Sequence, residues 1–169
     1  VGGKFDVSGV CFPGTPFVIL GQNRNAAWGF TNLMTDDLDF YVEKVNPDNS
    51  NQYYYDGIWK EMILRDEKIP VKGGKTQTLL VRETHRGPVI SDLHPLAKGG
   101  DRVISFRWTG RDMSDEVDAF LRLNTMENWR DFSEAVSRFT VPGQNIIYAD
   151  TKGNIGWRPA VRIPKRKGG

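Results

Sequence analysis

The sequence predicts an α+β fold, made mostly of antiparallel β-sheet with a pair of helices late in the chain. Short runs rich in β-branched and aromatic residues alternate with Gly, Pro, Asn and Asp turn signals up to residue 108. Apolar residues then recur at three- and four-residue steps up to residue 139, which is typical of amphipathic helices. The 169 residues suffice for one domain, or two small ones, with a buried core.

The first predicted strands follow an irregular, Gly- and Pro-rich segment over residues 1–17. Residues 17–20 are an apolar run closed by Gly21 and predict a buried strand. The polar residues 22–25 then predict a turn into a strand at 26–30, so we expect a hairpin. The next strand is predicted over residues 38–45 and ends before Pro47.

Turn chemistry predicts a β-meander over residues 52–91. Asp56-Gly57 is a dipeptide favoured in two-residue type I′ hairpins. Gly73-Gly74 and Gly87-Pro88 mark further breaks, and residues 102–108 predict one more strand.

The helical pair is predicted over residues 114–139. Ser114 is expected to cap a helix at 115–123, and Thr125 to cap a second helix at 126–139. Pro142-Gly143 stops that helix. Residues 145–150, 151–154 and 155–157 then predict a strand, a turn and a strand.

Composition and charge exclude several classes of protein. The hydrophobic fraction is 38% and the charged fraction 26%, which is ordinary for a globular chain. No apolar run approaches the roughly 18 residues that a membrane span requires. The net charge of +2 depends on an acid-free basic tail, Arg158, Arg162, Lys165, Arg166 and Lys167. A tail is not the basic patch or stripe that nucleic-acid binding needs, so we expect no nucleic-acid partner.

Local patterns leave the chemistry open. Residues 36–39, Asp-Asp-Leu-Asp, could bind a hard cation or could be a solvated turn. The single cysteine, Cys11, could pair with His85 as a thiolate, but a small core cysteine and a structural histidine are the simpler interpretation. His94 is interpreted as a loop residue. Carboxylates are numerous enough that a glycosidase-type acid and base also stay possible.

A family resemblance appears at residues 21–32, whose Gly-Gln-Asn-Arg-Asn-Ala-Ala-Trp-Gly-Phe-Thr-Asn resembles the Gly-His-Asn…Trp-Gly segment of the penicillin acylase family. Further segments are similar to the family in the same order. They are residues 6–9, 13–16, 36–40, 84–89, 108–110, 128–129, 145–150, 153–156 and 164–166. The resemblance covers essentially the whole chain, 1–169, as a central segment of the family's β chain.

The resemblance implies a partial piece of an αββα N-terminal-nucleophile hydrolase sandwich and an amidohydrolase made as a self-cleaving precursor. In that plan the first residue of the β chain, a Ser, is the nucleophile, and its own α-amine is the base. The nucleophile is expected outside this chain, so residues 1–169 alone are expected to be inactive. The ends are expected to be cut edges, and the expected partners are the α chain, the other β-chain segments and a small acyl amide. A periplasmic or extracellular location follows from the resemblance alone.

When the family's site residues are matched to this sequence position by position, the resemblance implies that the chain holds part of an active site. The backbone N–H of Asn32 matches the main-chain oxyanion donor. Leu20, Phe30, Phe120 and Gln144 match positions that line the acyl pocket, and core packing is their alternative role. Leu20 and Phe30 differ from the residue types of the penicillin G-selective enzymes, so phenylacetyl selectivity is not expected.

The resemblance also implies calcium. Asp36, the carbonyl of Leu38 and Asp39 match calcium ligands of the family, and this chain is expected to supply only a half-site. The basic tail is expected to meet other parts of the protein. Two rival hypotheses remain at this stage, a binding or structural module with the same fold and a carboxylate-based hydrolase.

Overall fold

The computed structural model describes residues 5–93 and 102–166. His94 and Lys167 lie outside these residues. The described chain divides into two compact units, one within residues 1–37 and 109–169 and the other within 38–108. Its twelve strands are β1 Val7–Val10, β2 Leu20–Asn23, β3 Ala26–Asn32, β4 Leu38–Glu43, β5 Val45–Asn46, β6 Asn49–Tyr55, β7 Ile58–Glu61, β8 Ile63–Ile69, β9 Gln77–Glu83, β10 Val103–Trp108, β11 Gln144–Asp150 and β12 Ile155–Ala160. Two α-helices, α1 Glu116–Thr125 and α2 Trp129–Arg138, lie between β10 and β11.

The first unit is an antiparallel five-stranded sheet in the order β1-β2-β3-β11-β12. Side chains alternate between its faces, so Trp28, Ile146 and Tyr148 are buried on one face. The helices α1 and α2 belong to the same core, to which they contribute Leu123, Phe132 and other buried side chains. The α+β class and the late helical pair are therefore confirmed.

The close approach of α2 to the sheet depends on Gly156 in β12. A Cβ atom at this position would clash with Cζ3 of Trp129. The absence of a side chain at Gly156 therefore lets the first residue of α2 pack closely against β12.

Phe17 and Ile19 are buried, but the prediction of a strand over 17–20 is wrong, because β2 begins only at Leu20. Asn124 of α1 accepts a hydrogen bond from Val18 N at 2.8 Å and donates one to Val18 O at 2.7 Å. The side-chain amide thus takes the place of a strand partner. The opening segment also differs from expectation, because β1 forms within it and pairs with β2.

The predicted helix caps are also wrong. Asp115, not Ser114, caps α1, and its carboxylate accepts from Asp118 N at 3.3 Å. Asn128 caps α2 and accepts from the amides of residues 130 and 131 at 2.9 and 3.1 Å. Thr125 is the last residue of α1. Ser, Thr, Asp and Asn all favour this position, and several of them crowd each helix start.

The second unit contains three small antiparallel sheets, β10-β4, β5-β6-β7 and β8-β9. The type I′ turn is confirmed, since Asp56 and Gly57 have φ angles of 55° and 83°. The predicted meander over 52–91 is instead divided between two sheets. Met62 separates β7 from β8, is buried, and donates its N–H to Asn51 O at 2.8 Å.

Two arginines of the basic tail make contacts within the first unit, and the expectation that the tail charge meets other parts of the protein stays a prediction. Arg158 donates to the carbonyl of Ser133 at 2.8 Å. Arg166 lies 3.2 Å from the carboxylate of Asp36. Neither described helix is long and apolar enough to cross a membrane.

Candidate active-site segment

Two of the predicted site residues, Asn32 and Gln144, meet where β3 ends and β11 begins. Asn32 is the last residue of β3, and its register partner is Gln144, the first residue of β11. The Gln144 side chain is only 4% exposed and donates from Nε2 to Oδ1 of Asn32 at 3.0 Å. The Asn32 side chain is exposed.

The ladder pattern directs the backbone N–H of Asn32 away from β11. Leu33 N donates to Gly143 O at 2.9 Å, and hydrogen-bonded pairs alternate with non-bonded pairs in an antiparallel ladder. Asn32 and Gln144 therefore form a non-hydrogen-bonded pair. On the opposite edge, β2 pairs with β3 only through Gly21 and Gln22, so β2 has diverged before it reaches Asn32.

The other face of the same strand end carries Asn145. The indole Nε1 of Trp157 donates to Asn145 Oδ1 at 3.1 Å. The amide nitrogen of Asn145 lies 3.4 Å from both Thr31 Oγ1 and Asn32 O, which are long contacts. Side-chain amides of Gln144 and Asn145 thus contact the Asn32 region from opposite faces of the sheet.

The predicted acyl-pocket residues occupy two environments. The Phe120 ring lies 5.1 Å from the Phe17 ring and 5.9 Å from the Phe30 ring, within the aromatic core. Leu20 and Phe30 also border a cavity of about 290 Å³, together with Thr31, Asn145 and other residues of β3 and β11. Phe30 thus contacts Phe120 and borders the same cavity as Leu20, whereas Gln144 contacts Asn32.

The predicted calcium ligands fall in different units, Asp36 in the first and Leu38 and Asp39 in the second. The side chain of Asp36 is 77% exposed, and Arg166 lies beside its carboxylate. Phe106 of β10 donates to Pro88 O, so by alternation the carbonyl of Leu38 points away from β10. Oxygen donors of this kind suit calcium. Within residues 5–93 and 102–166, no three His, Cys, Asp or Glu residues group closely enough to hold a metal.

Cys11 and His85 are described in separate units. Cys11 is an exposed free thiol. His85 lies 3.2 Å from the hydroxyl of Tyr53 and stacks on its ring. Burial lowers the pKa of His85, and the positive charge of Arg86 lowers it further. The Tyr53 contacts give His85 the structural role that was its simpler interpretation.

A buried carboxylate in the second unit was not singled out from the sequence. Glu43 accepts hydrogen bonds from Ser105 Oγ at 2.6 Å, Thr84 Oγ1 at 3.0 Å and Arg86 Nη1 at 2.8 Å. Its donors come from residues 41 to 62 positions away along the chain, so no local motif reveals them. With its oxygens occupied in this way, Glu43 stabilises the second unit and is a poor candidate for an acid or base.

The family model named penicillin amidase matches residues 1–169. The chain belongs to the penicillin amidase family. The chain is 29% identical over 167 residues to the acyl-homoserine lactone acylase QuiP of Pseudomonas fluorescens strain Pf0-1, a match that covers 98% of this chain and 20% of that protein. It is 27% identical over 168 residues to the penicillin G acylase of Escherichia coli, covering 99% of this chain and 19% of that one.

A solved structure supports the same assignment for the fold. The thermostable penicillin G acylase from Alcaligenes faecalis, in its orthorhombic form, is similar with a TM-score of 0.85 and 30% identity, over 99% of this chain and 30% of that chain. This penicillin amidase segment therefore spans about a fifth of the length of the curated relatives it matches.

Proposed function

We propose that the whole protein containing this segment hydrolyses the amide bond of N-acylated small molecules, of the penicillin or acyl-homoserine-lactone type. Family membership over the full chain is the observation that carries the proposal. The relatives are named as acylases of penicillin G and of acyl-homoserine lactones. Amide hydrolysis by such an acylase needs a nucleophile, a base and a site that stabilises the developing oxyanion.

The Asn32 amide is proposed as one oxyanion donor. Its N–H points to the strand edge that β2 has left, so the ladder with β11 does not use it. A backbone donor at a fixed strand end is already oriented before the charge develops, which is what lowers the barrier to acyl transfer. A second donor is proposed to come from outside residues 1–169.

The acyl group is proposed to bind against Leu20, Phe30 and Phe120, with Gln144 at the polar edge. The three apolar side chains are linked through Phe30, which contacts Phe120 and shares a cavity with Leu20. Because Phe30 already packs on Phe120, it fills part of the space and favours an acyl group other than phenylacetyl.

The nucleophile is proposed to be a Ser at the start of the mature β chain, outside residues 1–169, with its α-amine as the base. The experiment is covalent trapping of the intact protein with a serine-directed sulfonyl fluoride, followed by peptide mass spectrometry. We expect a single label on an N-terminal Ser and none within residues 1–169. A label on any residue of this chain would contradict the assignment, and an N-terminus that is not Ser, Thr or Cys would favour the binding module.

Calcium is proposed to bind Asp36, the Leu38 carbonyl and Asp39, together with ligands from the rest of the protein. Bound calcium would supply positive charge to these oxygens and would compete with Arg166 for Asp36. In the intact protein, calcium is expected to raise the melting temperature, and Asp36→Ala with Asp39→Ala is expected to abolish that rise. Asp48→Ala, which removes a carboxylate from another exposed turn, is the control. A melting temperature that calcium never shifts would exclude the site.

The partners and the location are part of the same proposal. We infer that the segment assembles with an α chain and with the remaining β-chain segments of one precursor, in the periplasm or outside the cell. The support is the family membership and the small share of the relatives' length that this chain spans. Fractionation of the producing cells, with detection of the mature chains, tests the location.

A further inference from the structure

We infer that Gln144 is a positioning residue that fixes the orientation of the Asn32 peptide, and that its main role is not contact with the acyl group. The inference rests on the proposed function, because it concerns the donor assigned to Asn32. The observation behind it is the hydrogen bond from Gln144 Nε2 to Asn32 Oδ1 at 3.0 Å. The residue that donates it, Gln144, is only 4% exposed.

The position of Asn32 explains why such a contact is needed. Asn32 ends β3, and the ladder alternation leaves its own N–H and C=O without a backbone partner on β11, although the side-chain nitrogen of Asn145 lies 3.4 Å from the C=O. Beyond Asn32 the pairing continues with the bond from Leu33 N to Gly143 O. Hydrogen bonds at the end of a ladder open at little free-energy cost, so a donor at this point would fluctuate without a further contact. The Gln144 bond attaches the Asn32 side chain to β11 across a pair that the backbone ladder itself leaves unbonded.

The partner of this bond is itself well held. Gln144 begins β11, the strand that lies between β3 and β12, and the next residue on the same face, Ile146, is fully buried. On the opposite face, Asn145 receives the Trp157 indole N–H at 3.1 Å. The start of β11 is therefore anchored on both faces, and a side chain extending from it can restrict the neighbouring strand end.

The test is a double-mutant cycle on the intact protein, with a series of N-acyl-para-nitroanilides as probes. Gln144→Leu and Asn32→Ala each keep the backbone N–H of residue 32 and remove one end of the bond. Each is expected to lower kcat between about fivefold and fiftyfold, less than the about hundredfold loss on removing an oxyanion donor. KM is expected to stay within about twofold, because ground-state binding of substrate is not the affected step.

The double variant decides between positioning and other roles. If the bond is the shared cause, Gln144→Leu with Asn32→Ala should lose no more kcat than either single variant. Additive losses, or a rise in KM for long acyl probes without a fall in kcat, would overturn the inference and leave Gln144 as a pocket residue. A Gln144→Glu variant, which can accept a hydrogen bond from the Asn32 amide, is expected to recover part of the lost kcat.

Tyr148→Phe is the matched control for stability. Tyr148 lies on the same face of β11 and donates to Asp150 Oδ2 at 3.0 Å, so its loss removes one side-chain hydrogen bond far from Asn32. We expect it to lower the melting temperature about as much as Gln144→Leu, with kcat kept. A wild-type protein that cleaves none of the probes would refute the proposed function itself, whereas an active wild type with additive variants would refute only the positioning role.

Discussion

At the scale of single residues, Asn124 shows how one buried amide organises the first unit. It is 1% exposed, accepts from Val18 N, and donates to the carbonyls of Val18 and Phe120 at 2.7 and 2.9 Å. A buried polar group is tolerated only when its hydrogen bonds are made. The same amide therefore makes hydrogen bonds both to a backbone carbonyl of α1 and to the backbone of the non-strand segment before β2.

We predict that Asn124→Leu destabilises the intact protein by about 2–4 kcal/mol, because it removes the side-chain partner of the half-buried Val18 N–H and C=O. Urea unfolding followed by fluorescence measures the change. Gln77→Leu makes a similar amide-to-leucine exchange at an exposed position of β9 and should cost less than about 0.5 kcal/mol. Equal effects of the two variants would show that Asn124 has no special role.

Residue roles in the site could be foreseen only in part. Matching the family's site positions to this sequence predicts Asn32, Gln144 and Phe30 as site residues. The structure places Asn32 and Gln144 opposite each other in one strand pair. Their mutual hydrogen bond could not be foreseen, because the two residues are 112 positions apart and no local pattern links them. The hydrogen-bond donors around Glu43 could not be predicted for the same reason, because they too are distant along the chain.

At the scale of elements, turns were predicted better than helix starts. Asp56-Gly57 specifies its turn because few residues tolerate positive φ at both positions. The helix caps were predicted at the wrong residues because several neighbouring residues can cap a helix. The choice between them depends on which side-chain oxygen reaches a backbone N–H in the first turn of the helix. The β11–β12 turn is organised in the same local way by Asp150, which accepts hydrogen bonds from Lys152 N and Asn154 N.

The β11–β12 turn is predicted to depend on pH. The hydrogen bond from the Asn154 side chain, together with backbone amides, lowers the pKa of Asp150 from 3.8 to about 2. A lowered folded-state pKa means that the carboxylate stabilises the fold above its ordinary pKa, and that this contribution disappears as pH falls from 3.8 to about 2. Asp150→Asn should therefore lower the melting temperature at neutral pH, and the difference from wild type should shrink across that acidic range.

Asp48→Asn is the control for this measurement, since Asp48 lies in another exposed turn and bonds to Asn46 Oδ1 through its backbone N–H, at 3.0 Å, and not through its carboxylate. Its melting temperature should follow that of wild type at every pH. A constant difference between Asp150→Asn and wild type down to about pH 2 would contradict the ionised Asp150 as the cause.

At the scale of the whole molecule, the sequence predicted antiparallel strands and a late helical pair, but not their arrangement. Period and turn signals are local, whereas β11 is placed between β3 and β12 by pairing over more than a hundred residues. The predicted meander is likewise divided at Met62, which is buried. A short apolar run in the sequence does not predict which of its residues will be buried. Family membership then relates this chain to proteins about five times its length, since the matches cover 20% and 19% of two of those proteins.

The central claim is that the whole protein hydrolyses acyl amides with the Asn32 backbone N–H as an oxyanion donor. Its most direct measurement is kcat for N-acyl-para-nitroanilides with the intact wild-type protein and its Asn32→Pro variant, with Asn32→Ala as the matched variant that keeps the N–H. The ladder with β11 does not use this N–H, so proline is expected to be tolerated there. We predict release of nitroaniline by wild type and a further loss of kcat in Asn32→Pro, to at least about hundredfold below wild type. Absence of release by wild type, or equal activity of the Pro and Ala variants, would contradict the account.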